Sequence, residues 1–172
     1  MRHLVWGSGA TPVEEFGEFV REALPGLLRY GHMLTGNQHD AADLVQTVLE
    51  RVGARWGSIA RKSGDPVAYT RKAMVNTHVS RWRRARRESL LPEFPDAPAE
   101  PRDDPFDNEP LWEALRELPP RQRAVVVLRY YEEKSEAEIA AVLGVSRGTV
   151  KSQASKAMAT LRGRLGASVG GA

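Results

Sequence analysis

A chain of 172 residues with 41% hydrophobic and 27% charged side chains has the make-up of one ordinary domain or two small ones, and is too apolar for wholesale disorder. It contains no cysteine. That excludes disulfides, thiolate zinc sites and a cysteine nucleophile, and suits a reducing cytoplasm. The net charge is only +3, but it is segregated: residues 71–87 carry seven Arg or Lys and no acid, and residues 93–109 carry seven acids and one arginine. Such segregation points to charged partners more than the total does.

The opening MRHLVWGSGATPVEEF lacks the apolar run of a signal peptide, and no window reaches the length of a membrane span. Residues 1–12 are expected to be a flexible N-terminus. PVEEFGEFVREALPGLLRYGHMLTG then places apolar residues near helical spacing, with Pro25 and Gly26 marking a bend or a boundary. NQHDAADLVQTVLERVGARW predicts an amphipathic helix, with Leu44, Val48 and Val52 every four residues and Val45 and Leu49 widening the same face. Its exposed side carries Asp40, Asp43, Gln46, Thr47 and Glu50. An acidic and amide stripe repels DNA, so it either faces solvent or docks a basic protein surface.

Gly57, Gly64 and Pro66 punctuate a short connection, and Asp65 with Pro66 makes a cap and first position for a helix from about 66 to 87. On its wheel Ala68, Val75, Val79 and Trp82 share one face, while Ala73, Met74 and Thr77 cover the opposite side. Lys72, Asn76, Ser80, Arg83 and Arg87 lie on a third, with Arg84 beside them in the arginine-rich end RWRRARRE. Lysine and arginine fix phosphates, and an amide among them can read a base edge. A membrane-binding helix would need a larger apolar face to accompany the charge, and a merely solvated face would mix acids among the bases. Trp82 is expected to pack on a neighbouring helix rather than on a base.

Residues 89–109 read as an acidic, proline-rich linker, since the segment SLLPEFPDAPAEPRDDPFDNEP holds six of the eleven prolines. The second block, 110–165, opens with EPLWEALREL and PPRQRAVVVLRYYE, both read as helical. SEAEIAAVLGVSRGTVKSQASKAMATLR then carries a helix-turn-helix pattern. Ser135 and Glu138 form a capping box, Ile139, Ala140 and Leu143 a buried face, Gly144 the left-handed stop, Val145 the plug and Ser146 the next cap. Val150, Ala154, Ala157, Met158 and Leu161 stripe one side of the second helix. Gly148, Thr149, Lys151, Ser152, Ser155 and Lys156 occupy the other, with Arg147 leading. That acid-free face suits a major groove better than the outside of a plain helical hairpin. Residues 166–172 read as a flexible tail. The fold class is therefore all-α: a helical bundle and a helix-turn-helix domain joined by the linker.

In this order the segments resemble the extracytoplasmic-function group of bacterial sigma-70 factors, the initiation subunits of RNA polymerase. The resemblance spans about residues 15–165. It implies that DLVQTVLERV, through Asp43, Gln46, Thr47 and Glu50, docks the coiled coil of the polymerase beta-prime subunit, with the beta subunit as a further contact. It implies that Lys72, Asn76, Ser80, Arg83, Arg84 and Arg87 serve the −10 element, where a base flipped from the separated strand is captured by this helix and the loop before it. It implies that Ser146, Arg147, Thr149, Lys151, Ser152, Ser155 and Lys156 serve the −35 element, and that the acidic linker runs toward basic polymerase surface. Core polymerase and promoter DNA are the implied partners, an anti-sigma factor belongs to the same expectation, and no cofactor, metal or catalysis is called for. Gln153, His78 and Ser80 depart from the commonest residues of the family.

Two other classes compete. A helix-turn-helix regulator acting without polymerase would need neither the acidic stripe nor the first block. An enzyme finds little support, because His3, His32, His39 and His78 are scattered and Gly36 separates the one pair at helical spacing.

Overall fold

The structure is a computed structural model that describes residues 9–88 and 110–169. The expected linker, residues 1–8 of the expected N-terminal tail and residues 170–172 of the expected C-terminal tail lie outside the described residues. Every described element is helical. The first block holds α1 (Pro12–Thr35), α2 (Gln38–Ala54), α3 (Trp56–Lys62) and α4 (Pro66–Glu88). The second holds α5 (Pro110–Arg116), α6 (Pro120–Val126) with a π-helical extension (Val127–Tyr131), α7 (Glu136–Leu143) and α8 (Arg147–Val169).

Local chemistry sets the helix ends. A capping box of Thr11 and Glu14 opens α1, and Gly36, at φ 80°, closes it in the left-handed region while its N–H donates to the His32 carbonyl. Asn37 Oδ1 accepts from the Asp40 N–H at 2.7 Å to start α2, and Asp65 Oδ1 accepts from the Ala68 N–H at 3.0 Å to start α4. Pro25 does not bound a helix: α1 runs straight through it. Pro25 and Gly26 are both exposed, so the carbonyl that loses its partner remains in water, while Phe19, Leu27, Tyr30 and Leu34 hold the helix from its buried side.

The connection after α2 is likewise more ordered than its glycines suggest. Trp56 and Ile59 are 2% and 5% exposed, and the Trp56 ring lies 5.3 Å from Phe16 and 4.7 Å from Phe19. Burial of a tryptophan and an isoleucine one turn apart, worth roughly 1.5–3 kcal/mol for each large apolar side chain, fixes α3 where propensity alone would not. At the other end α8 continues to Val169, beyond residue 165 where the sequence places its end.

Helix α4 explains how the blocks come together. Met74 and Thr77 face the first block: Met74 packs beside Gly31, and Arg51 Nη1 donates to Thr77 Oγ1 at 3.4 Å. His78, Val79 and Trp82 line a cleft with Pro120, Arg121 and Ala124 of the second. Each of the helix's two apolar faces thus has its own block to cover. The guanidinium of Arg121 sits 4.4 Å over the Trp82 ring, so Trp82 packs across the block boundary. Farther along the seam Arg71 lies 5.6 Å from the centre of the Tyr30 ring and 5.3 Å from that of Tyr131. One hydrophobic core runs from α1 and α2 into α6, α7 and α8. A second cluster joins α5 to α8 through Trp112, Leu115, Leu118 and Leu161, and Met33 touches both.

Arg123 is 5% exposed and gives its hydrogens to the end of α5: Nε to the Leu115 carbonyl at 2.9 Å, and Nη2 to Leu118 at 2.8 Å and Arg116 at 3.2 Å. It caps carbonyls at and just past the helix end, the Leu115 carbonyl also accepting from the Leu118 N–H at 3.2 Å. The π-helical extension widens the next turn by one residue, with the Glu132 N–H donating to the Val127 carbonyl at 3.1 Å.

Candidate nucleic-acid and partner interfaces

Three polar faces surround this core. On α2, Asp43, Gln46 and Glu50 are exposed and Thr47 is half-buried, because Leu44, Val45, Val48 and Val52 take the helix's inner side. The four residues are tied in pairs. Gln46 Nε2 donates to Glu50 Oε1 at 3.3 Å, and the Thr47 hydroxyl donates to the Asp43 backbone carbonyl at 2.8 Å. Arg81, which the sequence reading did not single out, reaches over from α4 to Asp43 Oδ2 at 2.7 Å and Thr47 Oγ1 at 2.8 Å.

On α4, Lys72, Asn76, Ser80, Arg84 and Arg87 are exposed and share the outward side. Arg84 Nε pairs with Glu88 at 3.0 Å. Arg83 is exposed as well, but its Nη2 donates to the carbonyl of Leu143, at the end of the first helix of the helix-turn-helix. The stripe expected from the wheel is therefore assembled apart from one arginine, which is engaged with the second block.

The helix-turn-helix has the predicted local structure. Ser135 and Glu138 form the reciprocal capping box, and Gly144 stands at φ 62°. Ser146 Oγ accepts from the Thr149 N–H at 3.0 Å, opening α8. Val150, Ala154, Ala157 and Leu161 are buried. Arg147, Gly148, Lys151, Ser152, Ser155 and Lys156 are exposed, whereas Thr149 is half-buried and lines the cleft against α4. The first turn of the recognition face is thus partly directed at the first block.

Electrostatics mark the seam as well. Burial pushes the His78 imidazole down to about 4, and the charges of Arg123 and Arg81 push the same way against Asp40. His78 is therefore neutral at pH 7. Of the spaced pair, His32 is buried with its ring 4.9 Å from that of Trp112, while His39 is exposed on the next helix. Among the described residues no three His, Cys, Asp or Glu gather as a metal site would require, and no helix is long and apolar enough to cross a membrane.

An open cleft of about 790 Å³ lies between α3 and the start of α4, lined by Arg55, Ser58, Lys62 and Tyr69 among others. Tyr69 is 39% exposed. An exposed aromatic beside basic side chains can stack a nucleobase and hold its phosphate. Only the loop was anticipated from sequence. The available signal for Tyr69 was an aromatic in the first turn of a helix whose apolar positions lie elsewhere.

Likeness to known proteins identifies the family. The family model for Sigma-70, region 4 matches residues 108–161, and that for the Sigma2 domain of PhyR matches residues 20–69. The chain is 43% identical over 155 residues to an RNA polymerase sigma-E factor of Streptomyces avermitilis, covering 89% of this chain and 86% of the relative. It is 35% identical over 158 residues to the ECF RNA polymerase sigma factor SigE of Mycolicibacterium smegmatis, covering 84% of this chain and 59% of the relative. Among solved structures, the sigma factor RpoE from Bartonella quintana, crystallised with the anti-sigma factor NepR, superposes with a TM-score of 0.57 at 26% identity. That match covers 89% of this chain and 98% of the other. Two family matches in the expected order, and a relative 43% identical over most of both chains, place the chain in the extracytoplasmic-function group of sigma-70 RNA polymerase sigma factors.

Proposed function

We propose that residues 13–88 form the unit that binds core RNA polymerase and the −10 element, and that residues 110–165 form the unit that reads the −35 element. The observation that carries this reading is the sorting of polar faces: acids and amides outward on α2, bases and an amide outward on α4, and bases and hydroxyls outward on α8. The apolar sides of all three helices are spent on the core.

The roles follow from chemistry. Asp43, Gln46, Thr47 and Glu50 offer carboxylate, amide and hydroxyl oxygens to a basic polymerase surface. Lys72, Arg84 and Arg87 hold phosphates of the −10 region while Asn76 and Ser80 face base edges. The cleft with Tyr69 receives a base displaced from the stack. Extruding a base costs a few kcal/mol, and contacts made only to the open strand offset it. Lys151 and Lys156 hold phosphates of the −35 element, while Arg147, Ser152 and Ser155 touch bases. The chain carries out no catalysis of its own, acts in the cytoplasm, and redirects polymerase to a promoter class. The pairing of RpoE with NepR supports an anti-sigma partner here as well.

The test is run-off transcription by core polymerase from a Streptomyces species on fragmented genomic DNA, with and without the protein. New start sites that vanish with Asp43→Arg are expected. A like charge placed at the docking face costs several kcal/mol, so assembly should drop by at least about a hundredfold while the melting curve keeps its helical amplitude. Tight duplex binding by the protein alone, with no new starts, would instead identify a regulator that works without polymerase.

A further inference from the structure

A single side chain joins the acidic stripe of α2 to the basic helix α4. The two planar nitrogens of Arg81 span Asp43 Oδ2 at 2.7 Å and Thr47 Oγ1 at 2.8 Å, acceptors one turn apart on α2. The Thr47 hydroxyl gives its own hydrogen to the Asp43 backbone carbonyl at 2.8 Å, so a lone pair is left facing the guanidinium. A fork of this geometry is peculiar to arginine; a lysine would meet the two acceptors only as a point charge. Arg81 and Asp43 are 44% and 60% exposed, so the pair is open to solvent and to partners, and such pairs are weak. Arg81 also stands next to Ser80 and one turn from Arg84, both exposed on the basic side of α4. Two of its five N–H groups are held by Asp43 and Thr47, and swinging the guanidinium toward a phosphate on the basic side would break that fork.

We propose that Arg81 is an exchange residue. In the free chain its guanidinium occupies the place on Asp43 and Thr47 that a cation of core polymerase takes on docking. The displaced guanidinium then turns to a phosphate of the promoter strand alongside Arg84. This rests on the docking role given to α2 above. It makes the two binding events help each other: polymerase frees Arg81 for DNA, and DNA that draws Arg81 away uncovers the docking carboxylate by the same factor.

The experiment compares wild type, Arg81→Ala and Arg81→Lys as full chains. Each is titrated with purified Streptomyces core polymerase, and each holoenzyme is then titrated with a promoter fragment over a range of KCl. Arg81→Ala is expected to bind core about two- to fivefold more tightly, the range of an exposed ion pair removed from competition. Its holoenzyme should lose about one unit of slope in log affinity against log salt, the mark of one phosphate contact. Arg81→Lys should keep that slope. Core binding by Arg81→Ala that is unchanged or weaker would overturn the proposal, because Arg81 would then order the stripe rather than cover it. An unchanged salt slope would overturn it equally. Failure of the wild type to bind core would strike at the docking role of α2 instead. Thermal melting of each variant separates these effects from loss of fold.

Discussion

Helices α4 and α8 are each 23 residues long, each ends in or carries a basic face, and each is proposed above to meet promoter DNA. They are held in different ways. The apolar side of α8 is a single stripe, Val150, Ala154, Ala157 and Leu161, and most of its polar side is open. Helix α4 is gripped from two sides, with Met74 and Thr77 toward its own block, and Val79 and Trp82 toward the other. One of its arginines is engaged by the carbonyl of Leu143. A helix can therefore display a reading face and still serve as the seam of a molecule, provided its two apolar sides diverge. The comparison separates two kinds of residue on α4: those that hold the first block together and those that hold the blocks to each other.

The sharpest way to break the distinction is Met74→Ala. Met74 is fully buried on the first-block side, so the substitution should cost about 2–5 kcal/mol in urea unfolding. A loss below 1 kcal/mol would mean that this side of α4 is loosely packed. The His78 side responds to acid. Its folded value is depressed to about 4 from an ordinary 6.5, so the unfolded chain binds the proton first. The stability it contributes is full above about pH 6.5 and is lost as pH falls toward 4, by at most about 3–4 kcal/mol. His78→Gln should flatten that part of the pH–stability curve relative to wild type; curves of equal slope would remove His78 as a contributor.

A smaller effect tests the seam from the second block. Gly144 adopts φ 62°, and a Cβ there would run into the Arg83 guanidinium. Gly144→Ala should cost about 1–2 kcal/mol. In an Arg83→Ala background that cost should shrink, and strict additivity would show that only the backbone conformation matters. The smallest expected effect lies on α8. Lys151→Ala should weaken duplex binding equally across sequences and reduce the salt slope by about one. A change in base preference would make Lys151 a reader rather than a phosphate holder.

Much of this was legible in the sequence because it is local or periodic. Leu44, Val48 and Val52 announce their helix by spacing, and Ser135, Glu138 and Gly144 announce theirs by cap chemistry. The polar faces of α2, α4 and α8 followed from the same wheels. What stayed hidden depends on partners distant in the chain. Helix α3 exists because Trp56 meets Phe16 and Phe19, and a seven-residue segment with a glycine gives no periodic sign of it. Pro25 was read as a bend or a boundary because the rule is local, and the boundary fails because the helix survives through tertiary burial around it. Even α4's two apolar faces were visible without their meaning, since nothing in a single wheel says that the second face belongs to the other block. The reach of Arg81 to Asp43 spans 38 positions and leaves no pattern to find.

The π-helical turn at Val127–Tyr131 has a consequence of its own. The wider turn is also the last of this helix, since the chain leaves it at Glu132, so its looser winding acts on the side chains of the turn itself. Tyr131 comes to rest 5.5 Å from the Tyr30 ring, while Tyr130 remains 56% exposed beneath Arg129. The second block thus meets the first through the widened last turn of this helix, and the aromatic at the seam is chosen by that winding as much as by the identity of the side chain.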